Sequence, residues 1–89
     1  MVLLITYELF DKSRDISNLK GEIKKAGTWW HHLENVWIIE TEKDEDKWYD
    51  TLKPHLRPED HIYIVKITTQ QQGWLPKGAW DWLENRKYE

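Results

Sequence analysis

Two carboxylates stand close together at the end of the first hydrophobic segment. Glu8 and Asp11 are three residues apart, so a strand that bends or stops there would let them converge. In a dimer, two such pairs would hold Mg²⁺ or Mn²⁺ and position water at a phosphate, which makes Glu8 and Asp11 the candidate catalytic residues and Glu8 a candidate metal ligand. A structural explanation stays open, with Glu8 as a surface or interface carboxylate and Asp11 as a turn residue.

Basic side chains follow these carboxylates toward the first predicted helix. The candidate nucleic-acid contacts are Lys12, Arg14, Lys20, Lys24 and Lys25. A dimer would double this group, which would then contact a backbone without reading its bases. The alternative is a solvated helix face. The net charge of -3 argues against strong electrostatic capture of nucleic acid, so any such contact is local.

Seven tryptophans in 89 residues are the second unusual feature of the sequence. We expect four or five of them in the core, because their spacing is that of helix and strand faces. An exposed remainder would stack bases, form a pocket for a nucleotide-like ligand or bind a protein partner. The candidates for this surface are Trp29, Trp30, Trp74, Trp80 and Trp82.

Cysteine and histidine supply no recognisable motif. The chain has no cysteine, which excludes disulfides, zinc–thiolate sites and a thiol nucleophile. His31 and His32 are neighbours in a predicted strand, and adjacent strand residues point to opposite faces. We therefore expect surface or hydrogen-bonding histidines rather than two ligands of one metal ion.

The elements that must position these side chains alternate along the chain. Strand-like segments cover residues 2–10, 28–33, 36–41 and 61–67, with a tight turn at Glu34 and Asn35 between the middle two. Helical spacing follows the first and third strands, and a short helix ends the chain. The order βαββαβ predicts one α+β domain over residues 1–89. The expected fold is a ferredoxin-like antiparallel sheet with two helices on one face, plus the short C-terminal helix.

Capping signals set the expected limits of the first two helices. Asp15 or Ser13 is expected to cap the first helix, and Gly27 to stop it. A capping box that begins at Thr41 is expected to open the second helix, which Pro54 ends.

Both faces of the predicted sheet are apolar enough to need burial. The helices cover one face, and we expect the C-terminal helix and a second protomer to share the other, which predicts a homodimer. The longest uninterrupted apolar run is residues 2–5, far short of the roughly 18 residues of a membrane span. We expect no membrane association, and the N-terminus does not read as a signal peptide, so a cytoplasmic location is expected.

Several short motifs resemble a known family over nearly the whole chain. Residues 7–12 (YELFDK), a helix closing at residues 25–27 (KAG) and residues 36–40 (VWIIE) resemble the layout of Cas2-like proteins, the ferredoxin-like dimers of CRISPR adaptation. Residues 29–31 (WWH), 53–56 (KPHL) and 73–80 (GWLPKGAW) are similar to a related group labelled SinR-like.

The resemblance implies a nucleic-acid-associated homodimer, acting in CRISPR or phage defence. Its role would be that of a structural adaptor or a weak divalent-metal-dependent nuclease. Cas2-like nucleases carry an Asp just after the first-strand Tyr, and the matching residue here is Glu8, a longer carboxylate that also ligates hard cations. The alternative function is a non-catalytic module that binds a protein or a small nucleotide-like ligand through exposed tryptophans.

Overall fold

A four-stranded antiparallel sheet with three helices forms the fold in the computed structural model, which describes residues 1–89. The strands are β1 (Val2–Glu8), β2 (Thr28–Leu33), β3 (Val36–Glu40) and β4 (His61–Ile67). The helices are α1 (Ser17–Lys24), α2 (Glu45–Leu52), which a 3₁₀ turn (Lys53–His55) follows, and α3 (Lys77–Glu84). The α+β class and the predicted order of elements are confirmed.

The sheet has the strand order β2-β3-β1-β4, and every neighbouring pair is antiparallel. β1 is an inner strand because its residues are apolar on both faces, as a strand covered from two sides requires. Leu4, at its middle, lies opposite Ile38 of β3 and Val65 of β4. β2 and β4 are therefore the two edges of the sheet.

The first face of the sheet packs against α1 and α2. Leu19 and Ile23 of α1 and Trp48 and Leu52 of α2 join the buried side chains of alternate sheet residues in one cluster. The sheet residues of this cluster include Leu3, Ile5, Tyr7, Trp37 and Ile39. Helical and strand periodicities agree on the same inward residues, so this face carries the larger core.

The second face is only partly covered. Ala79 and Leu83 of α3 pack with Val2, Trp30 and Ile38 in a smaller cluster. Beyond α3, Leu4, Thr6, Tyr63 and Val65 lie on the same face, because Thr6 pairs with Tyr63 and Leu4 with Val65 across β1 and β4. We call these four residues the open face. The side chain of Tyr63 is 65% exposed.

Local hydrogen bonds correct two of the expected helix caps. The carboxylate of Asp44, not Thr41, caps α2 by accepting from the amide of Lys47 at 3.0 Å. The Thr41 hydroxyl accepts instead from the Lys43 amide and the Trp48 indole. Before α1, the Asp15 carboxylate accepts from the amide and hydroxyl of Ser17 rather than closing a standard cap.

The tryptophans are less buried than expected. Only three are buried, namely Trp30, Trp37 and Trp48. Trp80 and Trp82 are half-buried, because α3 turns Ala79 and Leu83 inward and leaves the two indoles on its flanks. The expectation of four or five core tryptophans is therefore wrong. None of the helices is both long and apolar enough to cross a membrane.

Candidate functional site

A cavity of about 280 Å³ lies at the C-terminal end of β1, beside the turn between β2 and β3. Three of the basic residues singled out in the sequence line it, namely Lys12, Arg14 and Lys20. The remaining walls are Tyr7, Leu9, Ile16, His31, Glu34 and Asn35. We call this cavity the basic cleft.

Three separate segments bring these residues together. Lys12 and Arg14 lie in the loop from β1 to α1, and Lys20 lies in the first half of α1. The opposite wall belongs to the β2–β3 hairpin, whose turn residue Asn35 has a φ of 60°. The carbonyl of Asn35 accepts from the amide of Tyr7 at 3.3 Å, which ties the hairpin turn to β1. Asparagine suits this position, since it tolerates the left-handed region better than most residues.

Arg14 is an anchor of the cleft rather than a free charge. One terminal nitrogen of its guanidinium lies 2.7 Å from Asp60 Oδ2, and the other donates to the carbonyl of His55. The Asp60 carboxylate also accepts from the backbone amides of Phe10 and Arg57. Burial raises the pKa of Asp60, but these hydrogen bonds and the Arg14 charge lower it by more, so the carboxylate stays ionised. The positive charge of Arg14 is therefore balanced.

Lys12 and Lys20 carry the unpaired positive charge of the cleft. Neither ammonium group forms an ion pair, and Glu34 is the one carboxylate among the lining residues. Lysine ammonium groups with no intramolecular partner are free to contact an anion. The basic cleft therefore has the charge and enclosure of an anion-binding site.

His31 forms a fixed wall of the cleft. Its Nδ1 lies 2.8 Å from the carbonyl oxygen of Val36, and because a carbonyl only accepts, Nδ1 carries the hydrogen. The imidazole stacks on the indole of Trp37 with a centroid distance of 3.8 Å and an interplanar angle of 5°. His32 lies on the other side of the strand, with its ring 5.2 Å from Trp30. The expected division of the two histidines between opposite faces is confirmed.

Aromatic rings continue from the cleft toward the edge of the sheet. Trp29 lies 5.3 Å from Trp37, and Trp37 stacks on His31, so we call Trp29, Trp37 and His31 the aromatic strip. The inner ring is held in place, since the Trp37 indole donates to the hydroxyl of Tyr7 at 3.1 Å. Burial raises the pKa of Tyr7, which that hydrogen bond only partly offsets. Trp29 is 38% exposed, and the ammonium of Lys24 lies 5.3 Å from its ring centroid.

Lys25 lies apart from the cleft and the strip. Its ammonium pairs with the Glu22 carboxylate at 2.9 Å. Both residues line a different cavity of about 600 Å³, which Met1 and Thr28 place at the opposite end of β1. The five basic residues therefore divide into three in the cleft, Lys24 over Trp29, and Lys25 elsewhere.

The two carboxylates proposed for catalysis have different surroundings. Asp11 accepts from the hydroxyl of Ser13 at 2.7 Å and from its amide at 3.1 Å, and these bonds lower the pKa of Asp11. The carboxylate of Glu8 is exposed and forms no hydrogen bond or ion pair, and Glu8 lies opposite His61 in the β1–β4 pair. No group of three or more His, Asp or Glu side chains is arranged to hold a metal ion. Glu8 and Asp11 therefore have separate surroundings within one chain.

The other tryptophans of the expected aromatic surface differ in exposure. Trp30 is buried beneath α3, so it belongs to the core and not to a surface. Trp74 is fully exposed in the segment before α3. Trp80 lines a cavity of about 360 Å³ near the C-terminus, and the Arg86 guanidinium lies 4.5 Å from the Trp82 ring. Of these candidates, only Trp29 belongs to the aromatic strip that leads to the basic cleft.

Sequence reasoning missed the hairpin wall of the site. The signal was present, because Trp29 and His31 are two apart in a strand and so share a face. The pairing of Arg14 with Asp60 had no such signal, since the two residues are distant in sequence. Comparison with protein-family models, curated proteins and solved structures gives no match to this chain.

Proposed function

We propose that this chain binds nucleic acid without cleaving it, as a Cas2-like adaptor. The observation that carries the proposal is the position of two unpaired ammonium groups, Lys12 and Lys20, beside an aromatic strip whose outer ring is exposed. Cationic grooves next to exposed aromatic rings are how proteins hold single-stranded nucleic acid without reading its sequence. The net charge of -3 restricts this attraction to the cleft and its border.

The topology supports the family part of the proposal. In a ferredoxin-like sheet, two β–α–β units interleave so that the first and third strands are central and the fourth lies beside the first. The order β2-β3-β1-β4, with α1 and α2 on one face, is compatible with that arrangement. The proposed relation to the Cas2-like family rests on the sequence motifs.

The open face supports a homodimer as the functional unit. Leu4 and Val65 are only half-buried there, and Tyr63 projects into solvent. A second copy of the same face would bury them symmetrically. Each dimer would then present two basic clefts.

The test of nucleic-acid binding is its dependence on salt. Fluorescence anisotropy with labelled single-stranded DNA, single-stranded RNA and duplex DNA should show binding that weakens as salt rises. With three phosphates neutralised per chain, by Lys12, Lys20 and Lys24, the logarithmic slope for single strands is about -2. Replacing Lys12 and Lys20 together by Gln should reduce the slope to about -0.7. Lys77→Gln, an exposed lysine on α3, is the matched control and should leave it unchanged.

Absence of binding to every one of these nucleic acids would contradict the proposal. In that case, quenching of tryptophan fluorescence by mononucleotides would favour a small-ligand module instead. If Lys77→Gln weakens binding as much as the double variant does, the basic cleft is not the binding site.

A metal-dependent nuclease is the second candidate, favoured by the position of Glu8 next to the open face. No group of three or more His, Asp or Glu side chains is gathered within one chain, so the proposed Mg²⁺ or Mn²⁺ site uses Glu8 from both subunits of the proposed dimer. Cleavage of labelled DNA or RNA that requires Mg²⁺ or Mn²⁺ and is lost in Glu8→Ala would establish this activity. Binding without cleavage supports the adaptor.

A further inference from the structure

We infer that the basic cleft binds the terminal phosphate of a single strand, with a neighbouring base against Trp29. The inference rests on the proposed function and names the part of the nucleic acid that the site recognises. Three properties of the site carry it, namely the charge of the cleft, its enclosure, and the position of the exposed indole.

The two unpaired ammonium groups of the cleft match a dianion better than a monoanion. Arg14 is neutralised by Asp60 at 2.7 Å, which leaves the ammonium groups of Lys12 and Lys20 as the unpaired cations. A phosphate monoester carries between about -1.5 and -2 charges at neutral pH, whereas each internal phosphodiester carries one. Two free ammonium groups, with Glu34 as the one carboxylate that opposes them in the lining, favour a chain end that bears a phosphate.

The enclosure of the cleft also favours a phosphate at the end of a nucleic-acid chain over an internal phosphate. The cavity of about 280 Å³ is closed on one side by the β1–α1 loop and on the other by the β2–β3 hairpin. Both walls are fixed, the loop by Arg14 and Asp60 and the hairpin by the bond from the Tyr7 amide to Asn35. An internal phosphate needs an open path for the chain in two directions. A terminal phosphate needs only one.

The aromatic strip sets the direction in which the bound nucleic acid leaves the cleft. His31 lines the cleft, Trp37 stacks on His31, and Trp29 adjoins Trp37, so the exposed indole is within reach of a nucleotide adjacent to the bound phosphate. Bases in a duplex are already stacked and paired, so only an unpaired base offers its face to Trp29. The site therefore recognises single strands with a phosphorylated end.

Matched oligonucleotides test the inference directly. Four short oligothymidylates are compared by anisotropy: 5′-phosphorylated or 5′-hydroxyl, each labelled at the 3′ end, and 3′-phosphorylated or 3′-hydroxyl, each labelled at the 5′ end. We expect one phosphorylated end to bind about tenfold more tightly than its hydroxyl counterpart. Lys12→Gln with Lys20→Gln should abolish this preference, and Lys77→Gln should retain it. Trp29→Ala should weaken all four by a similar factor while the preference remains.

The possible results distinguish the terminal-phosphate inference from the proposed nucleic-acid binding. Equal affinity of wild-type protein for phosphorylated and hydroxyl ends, with binding retained, overturns the terminal-phosphate inference and leaves nucleic-acid binding standing. No binding of any oligonucleotide overturns both. The wild-type comparison needs no variant, so the inference stays testable if the lysine variants fold poorly.

Discussion

Asp60 holds together the end of β1, the β1–α1 loop and the turn before β4. Its carboxylate accepts from the amide of Phe10 after β1 and the amide of Arg57 before β4, and it forms an ion pair with the guanidinium of Arg14 in the β1–α1 loop. The side chain is fully buried, so its charge is compensated by these donors and not by water. The position of Arg14 in the basic cleft therefore depends on a residue outside the cleft.

Acid should destabilise the protein through Asp60. Because its pKa in the folded protein lies below the ordinary value of 3.8, the ionised carboxylate contributes stability above that value. This contribution is lost as the pH falls through the folded pKa. Urea unfolding of wild-type protein, measured at several pH values below about 4, should show falling stability.

Removing the carboxylate separates this effect from general acid unfolding. Asp60→Asn should lose about 3 kcal/mol at neutral pH, since it leaves Arg14 buried without its counter-charge. Its stability should also fall less steeply in acid. Asp50→Asn, an exposed carboxylate on α2, should change stability by less than about 0.5 kcal/mol. A steep acid transition retained in Asp60→Asn would contradict the assignment.

At the scale of elements, the sequence predicts strands better than their ends. β2 and β4 have the expected bounds, because alternating apolar residues and turn residues mark both. The sequence predicts that β1 runs to residue 10, but the strand ends at Glu8. The amide of Phe10 donates to the carboxylate of Asp60 and not to a neighbouring strand. The grouping of Lys12, Arg14 and Lys20 was predictable from their proximity in sequence. The hairpin wall that completes their cleft depends on sheet pairing, which periodicity alone does not specify.

The C-terminal helix should contribute measurably to global stability. Leu83 is buried against Val2, Trp30 and Ile38, so Leu83→Ala should cost about 2–3 kcal/mol in urea unfolding. Leu33→Ala is the matched control, because this leucine is 46% exposed at the end of β2, and it should cost less than about 1 kcal/mol. Equal effects of the two substitutions would mean that α3 is not part of the cooperative unit.

In the whole molecule, nucleic-acid binding and dimerisation are proposed for opposite faces of the sheet. The helix-covered face carries the larger core, and the basic cleft opens at its edge. The second face carries α3 and the open face, where the proposed partner is a second copy of the chain. Because the cleft and the open face share no residue, a dimer on the open face would leave both clefts accessible. Binding and association should therefore be separable by mutation.

The oligomeric state tests this division. Light scattering at micromolar concentration should give twice the monomer mass of 10.9 kDa. Tyr63→Glu should return the protein to 10.9 kDa, because it places a further charge on the open face, within the proposed interface. Tyr49→Glu, on the exposed side of α2, should leave the dimer intact. A wild-type mass of one chain would contradict the homodimer, and a Tyr63→Glu monomer that binds a single strand as tightly per chain as wild type would place the complete cleft within one subunit.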